Sequence, residues 1–122
     1  MQNLDQIRAR NAMKVASSVQ KKSVTKLPAL IVNNGLLAAA AFARDKSEGL
    51  LTAMNALAGH LLDPQINRIE AIPQNERARD YTGSTDDLLH YLKNQNSDRL
   101  RLATDESLAF LSYLKRFAKS EE

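Results

Sequence analysis

The chain has 122 residues with no cysteine and no tryptophan, and only three tyrosines and three phenylalanines. Without cysteine, neither a disulfide nor a thiolate metal site can form. The shortage of aromatic rings argues against recognition of single-stranded nucleic acid by base stacking, where aromatic platforms are usual. No nucleophile elbow, phosphate-binding glycine loop or HExxH pattern is present. His60 and His90 stand far apart, and neither has an acidic partner at metal-ligand spacing. These absences lead to the expectation of a protein that is not an enzyme, with no cofactor, no metal and no small-molecule substrate. The first residues, MQNLDQIRARNAMK, lack the apolar core of a signal peptide, so the expected compartment is the cytoplasm.

The most apolar run, LPALIVNNGLLAAAAFA from Leu27 to Ala43, is shorter than the roughly 20 residues that a bilayer requires, and Asn33 and Asn34 sit at its centre. No membrane partner is expected. Apolar residues occupy every side of its helical wheel, and a helix of that kind belongs inside a domain. Gly35 interrupts it at a cost of roughly 1 kcal/mol against Ala, which suggests a bend or the close passage of a neighbouring helix. Pro28 is expected in the first turn, where its missing N–H is harmless.

What is abundant is leucine and alanine, both good helix formers, within a composition of 43% hydrophobic and 25% charged residues. The expected architecture is all-α: residues 1–122 as a compact single-domain helical bundle of about five or six helices. A first helix is predicted over 3–22, with Leu4, Ala12, Val15, Ala16 and Val19 on one face, and Ser23 to Leu27 read as a turn. The central helix follows to about Lys46. Ser47 is the expected N-cap of a helix over roughly 48–62, and His60 near its end reads as a capping or surface residue. Pro64, Pro73 and Gly83 mark a long connection from Asp63 to Ser84. Ser84, Thr85, Asp86 and Asp87 start a short helix, which is why the two aspartates are not read as a catalytic pair. Ser97 is the expected N-cap of a last helix running to about Lys119.

Net charge is +3, but its distribution says more. Residues 1–26 hold six Lys and Arg against the single acid Asp5, whereas residues 63–98 hold four basic and seven acidic residues. A basic side and an acidic side suit a molecule that meets a polyanion with one and a protein with the other. Arg10, Lys14 and Lys21, with Lys22 beside them, share a sector of the predicted first helix. Arg101, Lys115 and Lys119, with Arg116 adjacent, share one on the last, where Asp105 also falls. Arg8 differs: it projects into the apolar face and reads as a snorkelling or salt-bridged arginine at the edge of the core.

The segments KLPALIVNNGLLAAAAFARDK (Lys26 to Lys46), DLLHYL (Asp87 to Leu92) and RLATDESLAFLSYLKRFA (Arg101 to Ala118) together resemble the small subunit of type III-B CRISPR effector complexes, the small protein of the Cmr complex. The resemblance spans nearly the whole chain and is weakest from Asp63 to Thr85. It implies a helical protein with no activity of its own. Copies would stack head to tail into a filament beside larger subunits that hold the guide RNA, lining the channel of the guide and target RNA duplex with basic residues. The partners so implied are other subunits of the effector complex, copies of the chain itself, and guide and target RNA. The expected nucleic-acid-binding residues are Arg10, Lys14, Lys21, Lys22, Arg101, Lys115, Arg116 and Lys119, contacting phosphates without reading bases. Two rival readings are a pure protein–protein scaffold and a small helical DNA-binding regulator, although no convincing helix-turn-helix is present.

Overall fold

The structure, a computed structural model, describes residues 3–46, 48–63, 66 and 84–118. Among them are six α-helices, one short 3-10 turn and no β-strand, as the all-α reading expects. In chain order these are α1 (Leu4–Val15), the 3-10 turn (Ala16–Ser18), α2 (Lys21–Asn34), α3 (Leu36–Asp45), α4 (Glu48–Leu61), α5 (Thr85–Leu92) and α6 (Ser97–Phe117). The long α6 packs on α1, α2 and α4, while α3 lies against α4 and α5. Between these helices sits a core of Leu27, Ile31, Met54, Leu57, Leu61, Leu88, Leu92, Leu111 and Leu114 around Phe110.

Local chemistry sets the helix ends. Asn3 and Gln6 form a reciprocal capping box at the start of α1, with bonds of 2.8 and 2.9 Å. The helix stops at Val15, short of the predicted Lys22, because the Ser18 hydroxyl donates to the Val15 carbonyl at 2.8 Å. Such local side-chain bonds compete with helix continuation, and Val19 and Gln20 are extended. The predicted turn at Ser23 to Leu27 is helical instead. Ser23, Val24, Leu27 and Ile31 are all buried on one side of α2, so tertiary burial overrides the polar look of KKSVTK. Pro28 therefore sits in the interior of α2 and not in a first turn. At α6 the cap is Asn96, whose Oδ1 accepts from the Arg99 N–H at 2.9 Å, one residue before the expected Ser97. The cap predicted at Ser47 and nearly all of the connection from Asp63 to Ser84 lie outside the described residues. Where α5 begins, Asn55 of α4 accepts from both the backbone N–H and the hydroxyl of Thr85, at 2.8 and 2.6 Å.

The central run is two helices. Gly35 has φ +88° and ψ 157°, a region essentially restricted to glycine. Nothing approaches within 4 Å of where its Cβ would be, so the expected tight neighbour is absent and the glycine answers to the backbone alone. The expectation that the run is buried is also overturned in part. Ala39, Ala40 and Ala43 are buried, but Leu37, Ala38, Ala41 and Phe42 form an exposed outer face on α3. Val32, just before the break, is 66% exposed.

Replacing Gly35 with L-alanine should lower stability in urea unfolding by about 1–3 kcal/mol, the usual range for a residue held in a sparsely populated backbone region. D-alanine, whose favoured angles mirror those of L-residues, should leave the midpoint nearly unchanged. A packing role for the glycine would instead make both substitutions destabilising.

Candidate nucleic-acid interface

The orientation of α1 decides where its cations point, and a buried polar cluster on its inner side sets that orientation. Arg8 Nε and Nη2 each lie 2.7 Å from one carboxylate oxygen of Glu106 on α6. Glu106, 2% exposed, also accepts from His60 Nε2 of α4 at 2.9 Å. On the other edge of that ring, Asn11 Nδ2 lies 3.0 Å from His60 Nδ1 and 2.9 Å from Asp63 Oδ2. An ionised carboxylate only accepts hydrogen bonds, so Asp63 fixes which way the Asn11 amide faces. His60 Nδ1 is then the acceptor, and the ring proton sits on Nε2 and is donated to Glu106. The imidazole also stacks on Phe110, with ring centroids 4.1 Å apart. The structure thus corrects the capping or surface role expected of His60, and bears out Arg8 as a salt-bridged arginine at the core edge.

Burial pushes the Glu106 carboxyl upward, but hydrogen bonds from Arg8 and His60, with the positive charge of Arg8, outweigh it and hold the group at about 2, down from 4.5. Hydrogen bonding to Glu106 likewise raises Arg8 above its ordinary value, against the opposing effect of burial. Among the described residues no buried side-chain nitrogen or oxygen is left without a partner. Replacing such a cluster with well-packed apolar groups is often neutral, whereas removing one member leaves an uncompensated charge. Its structural effect is therefore to fix the register and rotation of α1 on α4 and α6.

With Arg8 turned inward, Arg10, Met13 and Lys14 lie roughly 120–160° away around the helix, on the outside. They line a shallow open groove with Gln6 and Ala9. Lys14 is exposed and Arg10 half-buried. Lys21 and Lys22 belong to the first turn of α2, beyond the 3-10 turn, so the stripe of Arg10, Lys14 and Lys21 expected on one helix does not form. Its geometry required a continuous helix through Ser17 and Ser18. Arg101, Lys115 and Arg116 are exposed on α6, with about 21 Å of helix rise between Arg101 and Lys115. Asp105, also exposed, lies one turn from Arg101. Lys119 lies outside the described residues. The structure thus brings Arg10 and Lys14 onto one face, and places Lys115 beside Arg116.

Sequence reasoning missed Glu106, Asn11 and Asp63. The one available signal was Arg8, a charge on an apolar face that demanded a partner. Among the described residues, no group of three His, Asp or Glu side chains stands close enough to hold a metal ion, and no helix is long and apolar enough to cross a membrane.

An all-α bundle with a buried polar clamp, outward cations on α1, α2 and α6 and an apolar outer face on α3 has the form of a small helical assembly subunit. A family model described as CRISPR-associated protein (Cas_Cmr5) matches residues 4–121. The chain belongs to this family, the small subunit of the Cmr complex of type III-B CRISPR systems, and membership implies association with other Cmr subunits. No curated protein and no solved structure matches the chain.

Because the Glu106 pKa is depressed in the folded state, its contribution to stability is complete above about 4.5 and is lost as pH falls towards 2. Unfolding measured across this window should show that decline. Glu106→Gln should lose about 3 kcal/mol at neutral pH, the low end for breaking a buried pair, and should flatten the acid limb.

Proposed function

We propose that the chain is a non-catalytic subunit of the type III-B interference complex in the cytoplasm, holding guide and target RNA by sequence-independent contacts to phosphates. Copies stack head to tail into a filament that runs beside the guide-bearing subunits. The observation that carries the RNA part is the outer face of α1. There the exposed Lys14 and the half-buried Arg10 share one side of the helix, and none of the five described residues that line the groove is acidic. Lys115 and Arg116 on α6 supply a second cationic surface, with Arg101 separate from them further along the helix, and Lys21 and Lys22 a third. Phosphate contact needs no more than this, since base pairing supplies sequence specificity in RNA-guided systems.

The apolar outer face of α3 supports the stacking part. Leu37, Ala38, Ala41 and Phe42 present no charge to solvent, Phe42 is 42% exposed, and the Lys46 ammonium lies 5.2 Å from the Phe42 ring centroid. An apolar patch on the first two turns of α3, followed on the same side by the exposed Arg44 and Asp45, suits the apolar centre and polar rim of a subunit contact. A surface differing from its partner in the next copy gives a heterologous contact, which propagates.

Arg10, Lys14 and Lys21 replaced together by alanine should weaken RNA binding in the guide-loaded complex. The slope of log K against log salt should fall by roughly 0.7–0.9 for each lost phosphate contact to the guide and target RNA duplex. Intact assembly with unchanged RNA protection and salt response would instead favour a pure protein scaffold. Leu37→Asp with Phe42→Asp should leave the isolated chain folded, both side chains being exposed, and should shorten the filament in analytical ultracentrifugation. A filament of unchanged length would remove the α3 face from the stacking contact.

A further inference from the structure

Asn34 stands immediately before Gly35, and no other glycine of the chain follows an asparagine. That pair has a chemistry of its own. The backbone nitrogen of the residue after an asparagine can attack the side-chain amide carbon. Glycine, having no Cβ, leaves the approach open and the backbone free to take up the angles it needs. The pair also lies on the surface. Val32, Asn33, Asn34, Gly35 and Leu37 are all exposed, and no described atom comes within 4 Å of a Cβ built on Gly35. Two hydrogen bonds hold it closed. The Gly35 N–H donates to the Ile31 carbonyl at 2.8 Å, and Asn34 Nδ2 donates to the Leu30 carbonyl at 3.3 Å.

We propose that Asn34 is a site of spontaneous deamidation, and that the hydrogen bond from the Gly35 nitrogen to Ile31 is the gate on it. In the reaction the Gly35 nitrogen gives up its proton to base and bonds to Asn34 Cγ. The Cγ–Nδ2 bond breaks, and ammonia leaves with a proton taken from water. Water then opens the resulting succinimide at either carbonyl, giving aspartate or isoaspartate, in which the main chain runs through the former side chain. In sum, amide and water become carboxylate and ammonium, and nothing is oxidised or reduced. While α2 is closed the reaction is blocked, because the nucleophile is engaged with Ile31 and Asn34, the last residue of α2, is held in a helical backbone. Release of that end frees both. It is a single exposed bond at a helix terminus, the kind of place where local opening costs least. The product puts a carboxylate into a run that holds no charged residue from Leu27 to Ala43, at the C-terminal end of α2, where the helix dipole disfavours negative charge.

The gate makes a quantitative demand. Hydrogen exchange at Gly35 and deamidation at Asn34 both begin with loss of the same proton from the same nitrogen, so one opening controls both. The test incubates the full chain in mildly alkaline buffer, folded and in concentrated urea. Peptide mapping by mass spectrometry with an isoaspartate-specific assay follows position 34, and NMR reads exchange of the Gly35 amide. Asn34 should convert in the folded chain about ten- to a hundredfold more slowly than in urea, as suits a helix end that opens far more readily than the whole domain. That slowing should match the exchange protection of the Gly35 amide within a few fold. Asn34→Gln should stop conversion at this position, since the longer side chain closes a ring far less readily, and Gly35→Ala should slow it in urea, where folding plays no part. Three results would overturn the inference. Equal rates in the folded chain and in urea would remove the gate, and an intact Asn34 in a chain whose Gly35 amide exchanges freely would remove the reactivity. Slowing far beyond the exchange protection would place control elsewhere than the bond to Ile31.

Discussion

Glu106 is a carboxylate with almost no access to water, and a buried charge of this kind is tolerated only when paired and hydrogen-bonded. Arg8 supplies a forked partner from α1 and His60 a third donor from α4. The chain of bonds continues through Asn11 to Asp63, at the start of the long connection. Three helices distant in sequence are thereby held at one geometry. Apolar packing alone tolerates some rotation of a helix, since Leu, Ala and Val side chains adjust to one another. A two-point guanidinium–carboxylate contact tolerates little, because its fork is planar and directional. The outward aim of Arg10 and Lys14 thus depends on groups on the opposite side of the same helix.

The corner between α2 and α3 follows another logic. A positive-φ glycine with open space around it ends one helix and starts the next, and the change of direction lets α3 bury Ala39, Ala40 and Ala43 while turning Leu37, Ala41 and Phe42 out. The small buried residues allow close approach to α4 and α5. Apolar side chains that a monomer would hide are left on the surface. Within a family whose members are subunits of a larger complex, an outer face of this kind has a natural place.

Much of this was legible in the sequence, and the parts that were not share physical causes. Leucine periodicity located α4, α5 and α6 closely, and a charge at the centre of the first apolar face identified Arg8 as a paired residue. The break after Val15 was hidden because serine hydroxyls bond the backbone only once the chain has turned, and the heptad-like spacing of Arg10, Lys14 and Lys21 reads the same in either case. Helical structure at Ser23 to Leu27 is decided by burial against α4 and α6, which no local pattern reports. Gly35 was recognised as unusual, but the sign of its φ is not written in its neighbours. Glu106 sits in the polar string TDES, and only the fold shows that it faces inward. The cations were legible as residues; their grouping depended on where helices end.

One consequence of the clamp concerns time. Glu106 follows Arg8 by 98 residues, so at common synthesis rates the arginine waits on the order of 5–20 s on the ribosome before its partner exists. Until then α1 has neither its buried anion nor the α6 surface to lie on. The last helix is therefore the element that converts a set of loosely associated helices into a domain, and a ribosome that stops short of it releases a chain whose first helix has nowhere to dock. For a subunit that joins an assembly, this makes synthesis of α6 a condition for presenting an ordered outer face on α1.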